Sequence, residues 1–179
     1  MLKNIKLSYK IILIVELLLS IPCLIRNVSD FVTKTSVLGK LSSFLFIVSI
    51  IIAFYYIFAG YTKKQALSYK LFILLRTAAI FFQFSSIASL NSTGILLTTA
   101  LEYGLLIALY VGKDLGRKIS CNICFAIILA CIVKTIFFIF EIGTNSINVV
   151  SIVTSFASAL IPSWVTLAKY ADKASRGAK

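Results

Sequence analysis

Leu41 to Gly60 reads LSSFLFIVSIIIAFYYIFAG, twenty residues without a charge. At about 1.5 Å of rise per residue, a helix of that length covers roughly 30 Å, the thickness of a bilayer's hydrocarbon core. A surface helix of a soluble domain would show a polar face over such a distance, and this stretch has none. Five further stretches have the same character: Tyr9 to Ile25, Leu71 to Leu90, Ile95 to Val111, Ile119 to Phe140 and Ile147 to Ala168. The composition agrees. Hydrophobic residues make up 60% of the 179 positions and charged ones 13%, with a mean hydropathy of +1.01, whereas soluble domains carry nearer a quarter charged. The sequence predicts an all-α polytopic membrane protein, a bundle of six transmembrane helices forming a single domain over 1–179, with short loops and no soluble domain.

Orientation follows from Lys and Arg. Lys3, Lys6 and Lys10, then Lys63, Lys64 and Lys70, then Lys113, Arg117 and Lys118, and finally Lys169, Lys173, Arg176 and Lys179 flank the spans on one side. That is 13 on alternate segments, against Arg26, Lys34 and Lys40 on the other side. Basic segments stay inside, so both termini are expected in the cytoplasm, in what the Lys- and Ile-rich composition suggests is a bacterial cytoplasmic membrane. Tyr9, Tyr61, Tyr69, Tyr110 and Tyr170 fall at the inner span ends, as an interfacial aromatic belt predicts. The net charge of +12 is then read as meeting anionic lipid on the cytoplasmic face; no nucleic-acid partner is expected.

Met1 to Ile25 imitates a secretory signal, with Lys3, Lys6 and Lys10 before an apolar run. Glu16 interrupts that run and Ser20-Ile21-Pro22-Cys23 offers no small-x-small site, so an uncleaved first span is expected. The tripeptides Asn27-Val28-Ser29 and Asn91-Ser92-Thr93 match the glycosylation pattern only incidentally. Cys23, Cys121, Cys124 and Cys131 all lie in apolar stretches and read as small packing residues, Cys121-Asn122-Ile123-Cys124 included.

The chain has no His, which removes His-based triads and His-ligated metal or haem sites. No nucleophile motif, paired acidic metal cluster or phosphate loop is visible. The sequence therefore predicts no enzyme and no cofactor.

Four ionisable residues sit well inside spans: Glu16, Arg76, Glu102 and Lys134. Each costs about 2.5–3.5 kcal/mol in lipid and needs a reason to be there. Glu16 and Arg76 each lie six residues beyond a cytoplasmic Lys, Lys10 and Lys70, hence roughly 9 Å deep. Glu102 is seven residues past Ile95 and Lys134 six before Phe140, hence about 10 Å below the outer surface. Two ion pairs are expected, Glu16 with Arg76 and Glu102 with Lys134. They serve either as structural pins or as the wall of a polar cavity. Small and polar residues continue these positions at 3/4 spacing: Ser20 and Cys23 with Glu16, Gln83 and Ser86 with Arg76, Thr98 with Glu102, Cys124 and Cys131 with Lys134. Ser49, Ala53, Tyr56 and Gly60 in span two and Ser151, Ser155, Ser158 and Pro162 in span six form similar stripes, of the kind that lets membrane helices approach closely. Gln83 stands out because a mid-span amide needs a partner. Phe81, Phe82 and Phe84 are expected to be lipid or packing surface.

Leu7-Ser8-Tyr9-Lys10 recurs as Leu67-Ser68-Tyr69-Lys70, each entering a span from the cytoplasm, which suggests three helical-hairpin repeats. In size, span number, orientation and polar interior the chain is similar to the substrate-binding subunits of energy-coupling-factor importers. The likeness is one of topology, since their Ala-x-x-x-Ala docking pattern has no counterpart in Tyr9 to Ile25, which contains no Ala. Two functions are expected from these features. One is a small solute-binding or transport-type membrane subunit whose binding residues are Glu16, Arg76, Gln83, Glu102 and Lys134. The other is a non-transporting accessory protein, docked through its helices on a larger membrane-protein partner as an assembly, immunity or regulatory component.

Overall fold

The computed structural model describes residues 7–58, 63–88, 93–112, 117–142, 153–154, 156–158, 160–166 and 169. Among them the secondary structure is entirely helical: α1 Leu7–Thr33, α2 Val37–Phe58, α3 Lys63–Ala88, α4 Thr93–Val111, α5 Arg117–Ile142 and the shorter apolar α6 Phe156–Thr166. Four helices contain stretches long and apolar enough to cross a membrane, Val37–Tyr56, Leu67–Phe84, Thr93–Val111 and Lys118–Phe140.

Consecutive helices pack on one another from α1 to α5, and α2 with α3 share the most extensive contact. Phe84 of α3 meets Tyr103 of α4 edge-on, with ring centroids 5.9 Å apart, and Phe81 lies 6.2 Å from the same ring. The sixth helix is held by three others. Ser163 Oγ donates to the Cys124 carbonyl at 3.2 Å, Tyr69 Oη and Thr166 Oγ1 are 2.9 Å apart, and Cys23 Sγ donates to the carbonyl of Thr154, just before α6, at 3.4 Å. Ala157, Ile161, Ser163, Val165 and Thr166 are all buried, so this helix is enclosed on nearly every side.

Outer and inner faces invert the soluble pattern. On α1 the exposed large apolar residues are Ile11, Ile14, Leu18, Ile21, Ile25, Val28, Phe31 and Val32, while Ser20 and Cys23 are buried. On α2, Leu41, Phe44, Ile51 and Tyr55 face out and Ser42, Ser49, Ala53 and Tyr56 face in; on α5, Phe125, Leu129, Ile132 and Ile136 face out and Cys124, Ile127 and Cys131 face in. Large apolar side chains outside, with small and hydroxyl residues among those inside, is an arrangement that lets membrane helices pack closely. Gly60 of the span-two stripe, and Ser151 and Ser155 of the span-six stripe, lie outside the described residues. The buried hydroxyls are satisfied locally. Thr77, Thr98, Thr99, Thr135 and Thr166 each donate to the carbonyl four residues back at 2.7–2.9 Å, which is the usual way a helix carries threonine into an apolar interior. Ser42 instead crosses to the Ala79 carbonyl at 2.9 Å, tying α2 to α3.

Two expectations need correction. The first helix does not end at Ile25 but runs to Thr33. Nothing between Arg26 and Thr33 breaks a helix, and Asn27 Nδ2 and Thr33 Oγ1 bond back to the Cys23 and Ser29 carbonyls at 2.7 and 2.9 Å. Arg26 is therefore a helix residue and not a loop residue, and Lys40 belongs to α2. Tyr69 is not part of a lipid-facing belt. It is 6% exposed because its hydroxyl finds Thr166, its ring lies 5.8 Å from that of Tyr56, and Lys169 Nζ stands 4.5 Å over it.

Candidate functional site

At the end of the bundle where α1 turns into α2, a cavity of about 80 Å³ opens among polar side chains. The turn itself explains part of the wall. Ser36 Oγ accepts from the Gly39 amide at 3.3 Å, an N-cap contact that starts α2. Gly39 leaves room for the stem of Lys34, since a Cβ there would come within 3.1 Å of Lys34 Cδ. Lys34 Nζ can thus fold back to Asp30 Oδ2 at 2.9 Å and to Ser43 Oγ at 3.4 Å.

The pocket is lined from α1 by Cys23, Arg26, Asn27, Asp30 and, just beyond the helix, Lys34. From α2 come Ser42, Ser43 and Phe46, from α3 Ile80 and Gln83, from α4 Glu102, from α5 Lys134, from the segment before α6 Thr154, and from α6 Ser158. Also in the wall, Lys134 Nζ donates to Glu102 Oε2 at 2.8 Å, the carboxylate side chain being 6% exposed and the lysine 20%. Arg26 Nη1 donates to Thr154 Oγ1 at 2.6 Å, bridging α1 to the segment before α6.

Arg76 is 1% exposed and lies against this pocket's lining. Its Nη2 donates to both the carbonyl and the hydroxyl of Ser158, and its guanidinium carbon sits 4.5 Å from the Phe46 ring centroid. Ser158 and Phe46 are both pocket residues, so Arg76 braces the lining from behind. Cation over ring contacts of this kind gain strength where water is excluded.

The expected partnership of Glu102 with Lys134 is present. The pairing of Glu16 with Arg76 concerns a side chain, that of Glu16, outside the described residues. Gln83 reaches the pocket and makes no hydrogen bond among the described residues; Ser86 lies outside them as a side chain. Phe81, Phe82 and Phe84 are absent from the pocket wall. All four cysteines are free thiols, Cys121 half-buried and the rest buried. No group of three His, Cys, Asp or Glu side chains suited to a metal ion occurs among the described residues.

Sequence reasoning missed Asn27, Asp30 and Lys34 as wall residues, and it placed Arg26 in a loop; Lys34 does lie in the turn after α1. The signal was in the register. Glu16, Ser20 and Cys23 continue as Asn27, Asp30 and Lys34 at spacings of four, three, four, three and four, a single helical face. Ending the span at Ile25, just before Arg26, hid that continuation.

Fold and site together define an all-helical protein with four helices able to cross a membrane and a charged pocket at one end of the bundle. The chain matches no protein-family model, no curated protein and no solved structure.

Proposed function

We propose that the chain is a six-span protein of the cytoplasmic membrane, built as three consecutive hairpins with both termini inside, and that its pocket takes up a small polar solute as a solute-binding or transport-type subunit. The observation that carries this reading is the pocket itself. Five charged side chains, Arg26, Asp30, Lys34, Glu102 and Lys134, together with the Gln83 amide, surround one cavity. Ion pairs that served only to pin helices would gain by packing without such a space, because a void forfeits contacts on its lining. The basic residues of 63–70 and 113–118, read as the cytoplasmic side, support a pocket that opens outward at the α1–α2 end.

α6 and the segment before it would supply the floor, through Ser158 on Arg76 and Thr154 on Arg26. Tyr69, Thr166 and Lys169 would close the inner end. A pocket open at one end and sealed at the other is what a solute-binding subunit needs before release.

The mutual engagement of Lys34 with Asp30 and of Lys134 with Glu102 supports a second reading, a non-transporting accessory protein in which these pairs only fix helix positions. Native mass spectrometry of protein extracted in mild detergent separates the two. A small adduct that is lost in the double variant Glu102→Gln/Lys134→Met supports solute binding. A stoichiometric protein partner with no adduct supports the accessory reading and sinks the first.

A further inference from the structure

We infer that Lys34 is a latch across the mouth of the pocket, a side chain that swings aside for a solute to enter. The inference rests on the proposed solute pocket and concerns how that pocket is reached. Exposure gives the direction of entry. The side chains of Lys34 and Asp30 are 34% and 31% exposed, and those of Lys134 and Glu102 are 20% and 6% exposed. Both pairs line one cavity, so solvent is met first at Lys34 and last at Glu102.

Lys34 spans the gap between two helices at that mouth. It follows the last residue of α1, and its Nζ reaches Asp30 Oδ2 on α1 at 2.9 Å and Ser43 Oγ on α2 at 3.4 Å. The main chain around it is held. The Lys34 amide donates to the Asp30 carbonyl and the Lys40 amide to the Ser36 carbonyl, each at 3.0 Å, so the helix ends on both sides of the turn keep their hydrogen bonds. Phe31 of α1 and Phe44 of α2, both exposed, meet with ring centroids 6.3 Å apart. These contacts join α1 to α2 without the lysine, which leaves its side chain as the moving part.

The latch is lightly held, as a gate that opens at ambient temperature must be. An i,i+4 pair with a third of each side chain in solvent contributes little to stability, and a 3.4 Å contact from an ammonium to a hydroxyl is long for a hydrogen bond. Gly39 makes room for the closed position. A Cβ there would stand 3.1 Å from Lys34 Cδ, so the stem of the lysine would have to give by a few tenths of an ångström, enough to break the long contact to Ser43.

The test reads access to the pocket directly, on the full chain in mild detergent. Gln83→Cys places a thiol in the pocket wall, and its rate of modification by methyl methanethiosulfonate, a small neutral reagent, is followed by peptide mass spectrometry that reports each cysteine separately. Cys23, also in the wall, is a second reporter in the chain that keeps Gln83, and Cys121, half-buried and absent from the wall, is the control. Lys34→Met keeps the reach of the side chain and removes both contacts. The expected result is modification of Gln83→Cys and of Cys23 faster by about two- to fivefold in Lys34→Met, the size a partly exposed pair allows. The Cys121 rate stays unchanged, and Lys34→Arg behaves as the native chain. Loss of a nearby cation by itself makes a thiol less reactive, so the rise reads access. Gly39→Ala, which alters no charge, moves the rates in the same direction. Pocket rates that are the same in Lys34→Met as in the native chain overturn the latch and leave the pocket standing. A rise that extends to Cys121 means that Lys34 holds the bundle together instead of closing its pocket, and it overturns the latch as well. No modification of Gln83→Cys or Cys23 in any of these proteins means that the cavity admits nothing from solvent, which overturns the latch and the solute pocket together.

Discussion

Lys134 on α5 reaches Glu102 on α4 at 2.8 Å, across 32 positions of sequence, and both line a polar space that also receives Gln83, Asp30 and Lys34. Neither residue is tolerable in lipid alone. Together they bring no net charge into the bundle and fix the register of α5 against α4 through a contact that a one-turn slip would break.

Removing one member leaves the other stranded. Glu102→Gln or Lys134→Met is expected to cost about 3 kcal/mol, the lower part of the range for broken buried pairs, because Lys134 keeps some access to the pocket. The double variant should fall short of the summed losses by about 1–3 kcal/mol. Unfolding titrations with a denaturing detergent on all four proteins measure this coupling. Additive losses would show that the contact contributes nothing of its own.

A second polar contact lies at the opposite end. Tyr69→Phe deletes the hydroxyl that meets Thr166 but leaves the ring between Tyr56 and Lys169. Thr166 retains its bond to the Pro162 carbonyl at 2.7 Å, so the loss should be about 1 kcal/mol. Tyr69→Ala also empties the space the ring fills and should cost about 3 kcal/mol or more. The same unfolding titration reads both. Equal losses in the two variants would mean that the ring contributes no packing.

Much of this was legible in advance, for a physical reason. A bilayer imposes length and apolarity on every span, so Leu41 to Gly60 announces a helix without reference to any neighbour, and α2 through α5 appear where such stretches occur. The pairing of Glu102 with Lys134 was legible because depth is a one-dimensional coordinate that residue counting recovers. What counting along an axis leaves out is rotation between helices. It could not show that Ser158 of α6 would receive Arg76, or that α6 would be enclosed by α1, α3 and α5. The belt reading of Tyr69 failed for the same reason. Its depth was right, but its direction around the helix is set by Thr166 and Tyr56.

The lipid face gives a prediction of opposite sign for two residues on one helix. Leu129 sits at the centre of the Lys118–Phe140 stretch and is 51% exposed. Leu129→Arg should raise the insertion free energy of α5 by about 2.5–3.5 kcal/mol. Lys134→Leu should make isolated α5 insert more readily, yet destabilise the folded protein by stranding Glu102. A glycosylation-based insertion assay on α5 alone, set beside the unfolding titration of the whole chain, reads the two effects separately. If Lys134→Leu improved both, Lys134 would have no partner worth keeping in the folded bundle.

The proposed orientation is tested at the two ends of α2. With both termini inside, the turn between α1 and α2 lies outside and the α2–α3 connection inside, so alkaline phosphatase fused after Thr35 should be active and the same enzyme fused after Lys64 inactive. A fluorescent protein fused after Lys179 should be bright if six spans return the chain to the cytoplasm. The argument is electrostatic. The set proposed as inner holds 13 Lys and Arg and the set proposed as outer three, and of those three, Arg26 and Lys34 are engaged by Thr154 and by Asp30 in the pocket wall, so that side would be still less basic than the count implies. Reversed fusion activities would place the pocket on the cytoplasmic side, where it would face the cell's own metabolites and the direction of any solute movement would invert.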